Sequence, residues 1–233
     1  MEKMRTLFLS LVVVVLPVSG ETISSADRAY LVSHLEMTRE FVRDATRGLT
    51  NEQWLFKPAP LRWSIAQCID HVARSEEYVV QLILDRVLPA EQPLTGAFPS
   101  TAKGRTARVE KPRRMTGSDD AVILRWMTDR TSATATPVDQ RPSIEEIAPR
   151  GSFDDPLSSL DHFLKVRAAT IEYVKTTQDD LRGHFTQVAL TGFPEVKFHD
   201  AYQWLLRMSA HTERHLVQVH EVKRTTSYPH GAR

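Results

Sequence analysis

His211 and His215 stand four residues apart in a stretch that reads as helix. Residues at i and i+4 lie one above the other on one helix face. Two imidazoles placed in this way can converge on a single ion, each at about 2.0–2.1 Å. The spacing alone is a weak sign, because two partly buried polar residues give the same pattern. Nor is it the helical zinc-peptidase motif H-E-x-x-H, which sets a glutamate directly after the first histidine. Thr212 holds that position here, and Glu213, two residues from each histidine, points to the far side of the helix. Glu213 is therefore assigned neither as base nor as ligand. A third ligand must come from another helix. His71 lies beside Cys68, Ile69 and Val72 and is the best candidate. His34 and His162 also sit near apolar stripes, and periodicity does not choose among the three. The remaining histidines need no function: His184 and His199 lie near loops, His220 on the wet side of its helix and His230 in a tail.

Four long segments with helical periodicity would carry these side chains. The first runs from about Ser25 to Leu49, with Leu31, His34, Leu35, Thr38, Phe41, Val42, Ala45 and Leu49 on one face. Gly48 sits where that helix would end. Thr50 and Gln53 resemble a capping box for a short turn. The second helix opens at Trp63 and Ser64, with Gln67 completing the capping box, and runs to about Leu88. Ile65, Ile69, Val72, Tyr78 or Val79, and Ile83 are its core positions. The third begins at Asp155–Pro156, a cap with proline at the first helical position. Its stripe is Leu157, Leu160, Phe163, Leu164, Ala168, Ile171 and Val174. A loop with Gly183, Gly192 and Pro194 leads to the fourth, from about Asp200 to Arg224, where Leu205, Met208, Thr212, His215, Val219 and Val222 share a face. Residues 89–153 break this pattern with seven prolines and four glycines. They read as a long excursion over the bundle, with one short helix from Ser118 to Thr131 whose apolar side is Val122, Ile123, Trp126 and Met127. The basic cluster Lys111, Arg113 and Arg114 in this excursion reads as a solvated loop. The expectation is an all-α fold: a four-helix bundle with a long excursion between the second and third helices.

Residues 1–20 are a different kind of sequence. Lys3 and Arg5 precede an apolar run from Leu7 to Leu16 interrupted only by Ser10, and Pro17, Val18, Ser19 and Gly20 follow. This is the three-part pattern of a cleavable signal peptide, with cleavage after Gly20. The run is well short of the roughly 20 apolar residues a membrane span needs, and no cysteine near the cleavage point suggests a lipoprotein. The expected product is a single helical domain, 21–233 with a core of about 25–223, exported to the periplasm or the extracellular space, with no stable membrane span after cleavage. Cleavage removes Glu2, Lys3 and Arg5, which brings the 30 basic and 29 acidic side chains of the chain into balance. A neutral protein is a poor candidate for nucleic acid or for an anionic membrane surface. Cys68 is the single cysteine, so no intrachain disulfide forms, and stability rests on core packing with possible help from metal.

Several segments resemble the DinB-like superfamily of helical bundle proteins. Trp63-Ser64-Ile65-Ala66-Gln67-Cys68-Ile69-Asp70-His71 is similar to that family's second-helix opening, and Glu76 matches its usual downstream acidic residue. His211-Thr212-Glu213-Arg214-His215-Leu216-Val217-Gln218 is similar to its fourth-helix signature. Leu49 to Gln53 and the stretch from Arg167 to Arg182 also read like members. The resemblance covers about residues 25 to 223 and implies a divalent metal site, zinc or nickel, formed by His71, His211 and His215. It is the resemblance that selects His71 over His34 and His162.

Three neutral histidines leave coordination positions open, which is the pattern of a catalytic rather than a closed structural site. Such a metal would activate a bound water or hold a thiol substrate as its thiolate. Some relatives implied by the resemblance are thiol-dependent transferases or isomerases. The expected function is a metal-dependent transferase or hydrolase acting on an unidentified small molecule. The alternative is a non-catalytic metal-binding or interaction module in which the ion secures the bundle. A homodimer formed through a helix face is compatible with either. Cys68, three residues before His71, could approach the metal, but reads more simply as a small buried hydrophobe. Glu76 would orient a ligand or belong to a charged surface turn, and Arg167 would point toward the site or form an ion pair. Trp54, Trp63, Trp126 and Trp204 would pack the core or line a pocket.

Overall fold

A computed structural model describes residues 23–91, 117–128, 145–187 and 198–230. The expected leader over 1–20 and the cluster Lys111, Arg113 and Arg114 lie outside the described residues, as do the side chains of Trp126 and Met127. The elements are α1 (Ser25–Thr46), α2 (Asn51–Leu55), α3 (Ile65–Leu82), α4 (Gly117–Thr128), α5 (Leu157–Thr176), β1 (Phe185–Gln187), β2 (Phe198–Asp200) and α6 (Ala201–Lys223). A π-helical turn, Ile83–Val87, continues α3, and a 3-10 turn spans Glu145–Ile147. Among the described residues no helix is long and apolar enough to cross a membrane.

Local sequence signals set the helix ends. Ser64 Oγ accepts from the Gln67 N–H while Gln67 Oε1 accepts from the Ser64 N–H, a reciprocal capping box. Thr50 and Gln53 make the same pair at α2. Asp200 and Gln203 make a third at α6, which the sequence reading had not singled out. Leu157 N–H donates to Asp155 Oδ1, and Pro156 already has helical angles (φ −67°, ψ −22°), so the Asp-Pro start of α5 stands as expected. Gly48 follows α1 with φ +69°, a left-handed angle that glycine adopts without the Cβ strain other residues meet.

α1 and α3 each pack against both α5 and α6, which closes a four-helix bundle, and α4 lies along α6. Among the described residues the one addition to the all-α expectation is a small antiparallel ribbon. β1 and β2 pair as Phe185 with Asp200, Thr186 with His199 and Gln187 with Phe198, in the region read as loop. Three apolar assignments fail: Phe41 and Leu157 are about half exposed, and Ala168 is exposed as well. On α3 and α6, by contrast, the buried set is wider than the periodic stripe.

The apolar core comes in two parts. Leu31, Leu35, Val79, Ile83, Ile171, Val174 and Leu205 belong to one. Val42, Ile65, Ile69, Val72, Phe163, Leu216 and Val219 belong to the other. A polar layer of Thr38, Glu76, Arg167 and Thr212, one residue from each bundle helix, falls between them in every helix's numbering. Arg167 is fully buried. Its Nε and Nη2 donate to the Glu76 carboxylate at 2.6–2.9 Å, Nη1 donates to Leu35 O and Thr38 Oγ1, and Nη2 also donates to Thr212 Oγ1.

A second buried arginine anchors α4. Arg182 donates to both oxygens of Asp120 on α4 (3.0 and 2.7 Å), to Asp200 (3.1 Å) and to Asp27 (3.2 Å), and its guanidinium lies 3.6 Å from the Tyr202 ring centroid. Burial pushes the Asp200 carboxyl up to about 7; Arg182 opposes the shift and Asp120 adds to it. A carboxyl raised in the folded state contributes stability at pH values below its unfolded pKa, near 4, and that contribution is lost as pH climbs to 7. Asn caps a helix as well as Asp. Asp200→Asn is therefore expected to gain on the parent by about 2 kcal/mol between pH 5 and pH 8. Denaturant midpoints of both proteins at the two pH values check this, and a pH-independent gap refutes it.

Candidate metal centre

α6 places His211 and His215 on consecutive turns, with their Nε2 atoms 3.0 Å apart. His71 comes from α3, its ring centroid 5.1 Å from that of His211 and 4.7 Å from that of His215. One ligand nitrogen from each of the three lies within 4.8 Å of the others. Neither His34 nor His162 joins them. His34 Nδ1 contacts Ser209 Oγ (2.8 Å) and its Nε2 lies 3.4 Å from Glu213. His162 pairs with Glu77 at an exposed position.

The second ring nitrogen of two of these histidines is already occupied. His71 Nδ1–H donates to the Ile147 carbonyl at 2.7 Å. His215 Nδ1–H donates to Gln218 Oε1 at 3.0 Å. A hydrogen bond of this kind sets the tautomer and the ring orientation, leaving Nε2 as the free electron pair. Among the described residues, His211 Nδ1 is buried without a hydrogen-bond partner. Burial pushes the His71 imidazole down to about 4, against the opposing effects of the Ile147 hydrogen bond and Asp70. It pushes His211 well below its ordinary value, and the neighbouring His215, His71, Arg207 and Arg214 add to that. Both rings are thus held neutral, the form that coordinates a metal.

These residues fit a divalent ion. The donors are neutral nitrogens, which suit zinc and nickel better than calcium or magnesium. Among the described residues the group has three members and no carboxylate or thiol joins it. Trp63 forms one wall, its ring centroid 4.8 Å from His71 and 5.9 Å from His215 with the latter rings stacked.

Other expectations about neighbouring residues resolve differently. Cys68 is buried in the apolar core beside Ile65, Ile69 and Phe163, as the simpler reading held. Glu76 neither orients a histidine nor lies on the surface, because it faces the buried Arg167. Trp54 and Trp204 are core residues. Sequence reasoning missed the Ile147 carbonyl and gave Gln218 no role, although Gln218 closes the quoted His211–Gln218 signature.

The family model for the DinB superfamily matches residues 34–219, most of the chain and all three histidines. No curated protein matches the chain. Among solved structures the chain is similar to one described as "YfiT from Bacillus subtilis is a probable metal-dependent hydrolase with an unusual four-helix bundle topology". The likeness has a TM-score of 0.49 and 15% identity, covering 90% of this chain and 93% of that chain.

Proposed function

The chain belongs to the DinB superfamily, and from that premise we propose that it binds one divalent metal ion, zinc or nickel, through His71, His211 and His215 and acts as a metal-dependent transferase or hydrolase. The observation that carries this reading is the convergence of the three histidines, with His71 and His215 each donating its Nδ1–H to a fixed acceptor. A divalent ion held by three neutral imidazoles supplies Lewis acidity at the coordination position the protein leaves to a substrate or water. The chain's own residues do the rest. The Ile147 carbonyl and Gln218 hold two of the rings in orientation, burial keeps the His71 and His211 rings neutral, and Trp63 shields one side from solvent.

Elemental analysis tests the proposal. The purified protein should carry close to one equivalent of divalent metal, and His71→Ala and His211→Ala should carry little. Equal metal in all three would rule the site out. The same trio joins α3 to α6, which favours a second reading in which the ion braces the bundle without catalysis. A screen of the metal-loaded protein with thiols and ester substrates separates the two, since turnover supports only the first.

The N-terminal sequence leads us to propose export with loss of residues 1–20. Mass analysis of the protein from an envelope fraction should find Glu21 as the first residue. Retention of Met1 there would contradict cleavage.

A further inference from the structure

We propose that Asp70 and Arg150 are positioning residues of the metal centre, acting through the Ile147 carbonyl on His71. This rests on the reading of the three histidines as a metal site. The acceptor for His71 is a main-chain oxygen in a three-residue 3-10 turn at the end of the excursion. A turn that short has little internal hydrogen bonding to hold it in place. Its anchor is on α3, beside the histidine it serves. Asp70 is completely buried, and each of its oxygens meets a donor of Arg150. Oδ2 accepts from the Arg150 main-chain N–H at 2.9 Å, and Oδ1 accepts from its guanidinium at 2.9 Å. Gln67 Nε2 donates to Arg150 O at 3.2 Å, a third tie between the first two turns of α3 and the same residue. The Arg150 guanidinium also lies 4.8 Å from the Phe153 ring centroid.

Asp70 therefore fixes the main chain three residues beyond Ile147, and the Ile147 carbonyl in turn fixes the next residue on α3, His71. Without the clamp the carbonyl moves and the His71 ring loses its orienting acceptor. Groups that orient metal-binding histidines typically contribute 10–100-fold to metal affinity.

The test is chelator-competition measurement of Zn²⁺ and Co²⁺ affinity in the full protein, with the Co²⁺ absorption spectrum and the metal-free thermal midpoint recorded alongside. Asp70→Ala should weaken binding about tenfold and alter the Co²⁺ spectrum, and Arg150→Ala, which loses the guanidinium bonds but keeps its main-chain N–H on Asp70, should shift both in the same direction by a smaller factor. The double variant should be no worse than the weaker-binding single, because both act through one carbonyl. Arg150→Lys, which keeps a cation against Asp70 Oδ1, should restore most of the affinity that Arg150→Ala loses. Should Asp70→Ala not fold, Arg150→Ala carries the test, since it truncates a side chain that is partly exposed. Folded variants with parental affinity and parental spectrum overturn the proposal, even if their midpoints fall. A parent protein that binds no metal overturns the reading of the site itself, a result distinct from this one.

Discussion

Replacing Arg167 by methionine is expected to destabilise the protein by about 3–5 kcal/mol, the cost of stranding a buried charge. The change leaves Glu76, 1% exposed, with no cation against it, and leaves Thr38, Thr212 and the Leu35 carbonyl each short of a donor. Methionine fills much of the volume but offers no hydrogen bond. The layer lies between the two halves of the core and touches all four bundle helices, so the loss cannot be absorbed by one helix fraying. Arg167→Met/Glu76→Leu should recover a large part of the loss, because a buried ion pair as a whole contributes far less than its rupture costs. Urea denaturation of the parent, the single and the double variant measures both quantities. A single variant within about 1 kcal/mol of the parent would show that the layer is wetter or looser than described.

Loss of one histidine of the trio should weaken metal binding by more than about 100-fold, beyond the range for groups that only orient a ligand. His211→Ala is the cleaner case, because among the described residues its Nδ1 has no hydrogen-bond partner and its removal leaves no main-chain carbonyl without a donor. His71→Ala also leaves the Ile147 carbonyl without its donor, so its effect combines a lost ligand with a loosened turn. His34→Ala and His162→Ala are the controls, with metal content expected to equal the parent's. His34→Ala should lower stability through its contacts with Ser209 and Glu213, while His162→Ala, an exposed partner of Glu77, should be nearly silent. Metal retained by His211→Ala and lost by His34→Ala would assign the ligands wrongly.

What was readable in the sequence divides along chain distance. Two of the three capping boxes, the Asp-Pro start and the spacing of His211 and His215 depend on residues within four positions of one another, and pattern alone exposes them; the Asp200–Gln203 box is as local but went unread. His71 faces α6 across the bundle, and no periodicity separates it from His34 or His162; the family resemblance chose it. The Asp70–Arg150 clamp joins residues 80 positions apart through a main-chain group, and nothing in the composition of either segment marks it. Glu76 and Arg167 carry charge, which by itself suggests surface, and only their mutual contact accounts for burial. The β-ribbon is three residues per strand, too short for an alternating pattern to stand out. Phe41 and Leu157 show the opposite case, apolar side chains at the edge of a stripe that periodicity places in the core and the fold leaves about half exposed.

The partner of His71 on the excursion is an oxygen that every amino acid possesses. Position 147 can therefore change its side chain freely: Ile147→Val or Ile147→Ser leaves the acceptor in place. What it cannot change is its count of residues from Arg150. A one-residue deletion or insertion between 147 and 150 moves the oxygen by a full residue step of about 3.8 Å, more than the 2.7 Å bond itself. Divergence among relatives should then be permissive in spelling and strict in length across this short interval.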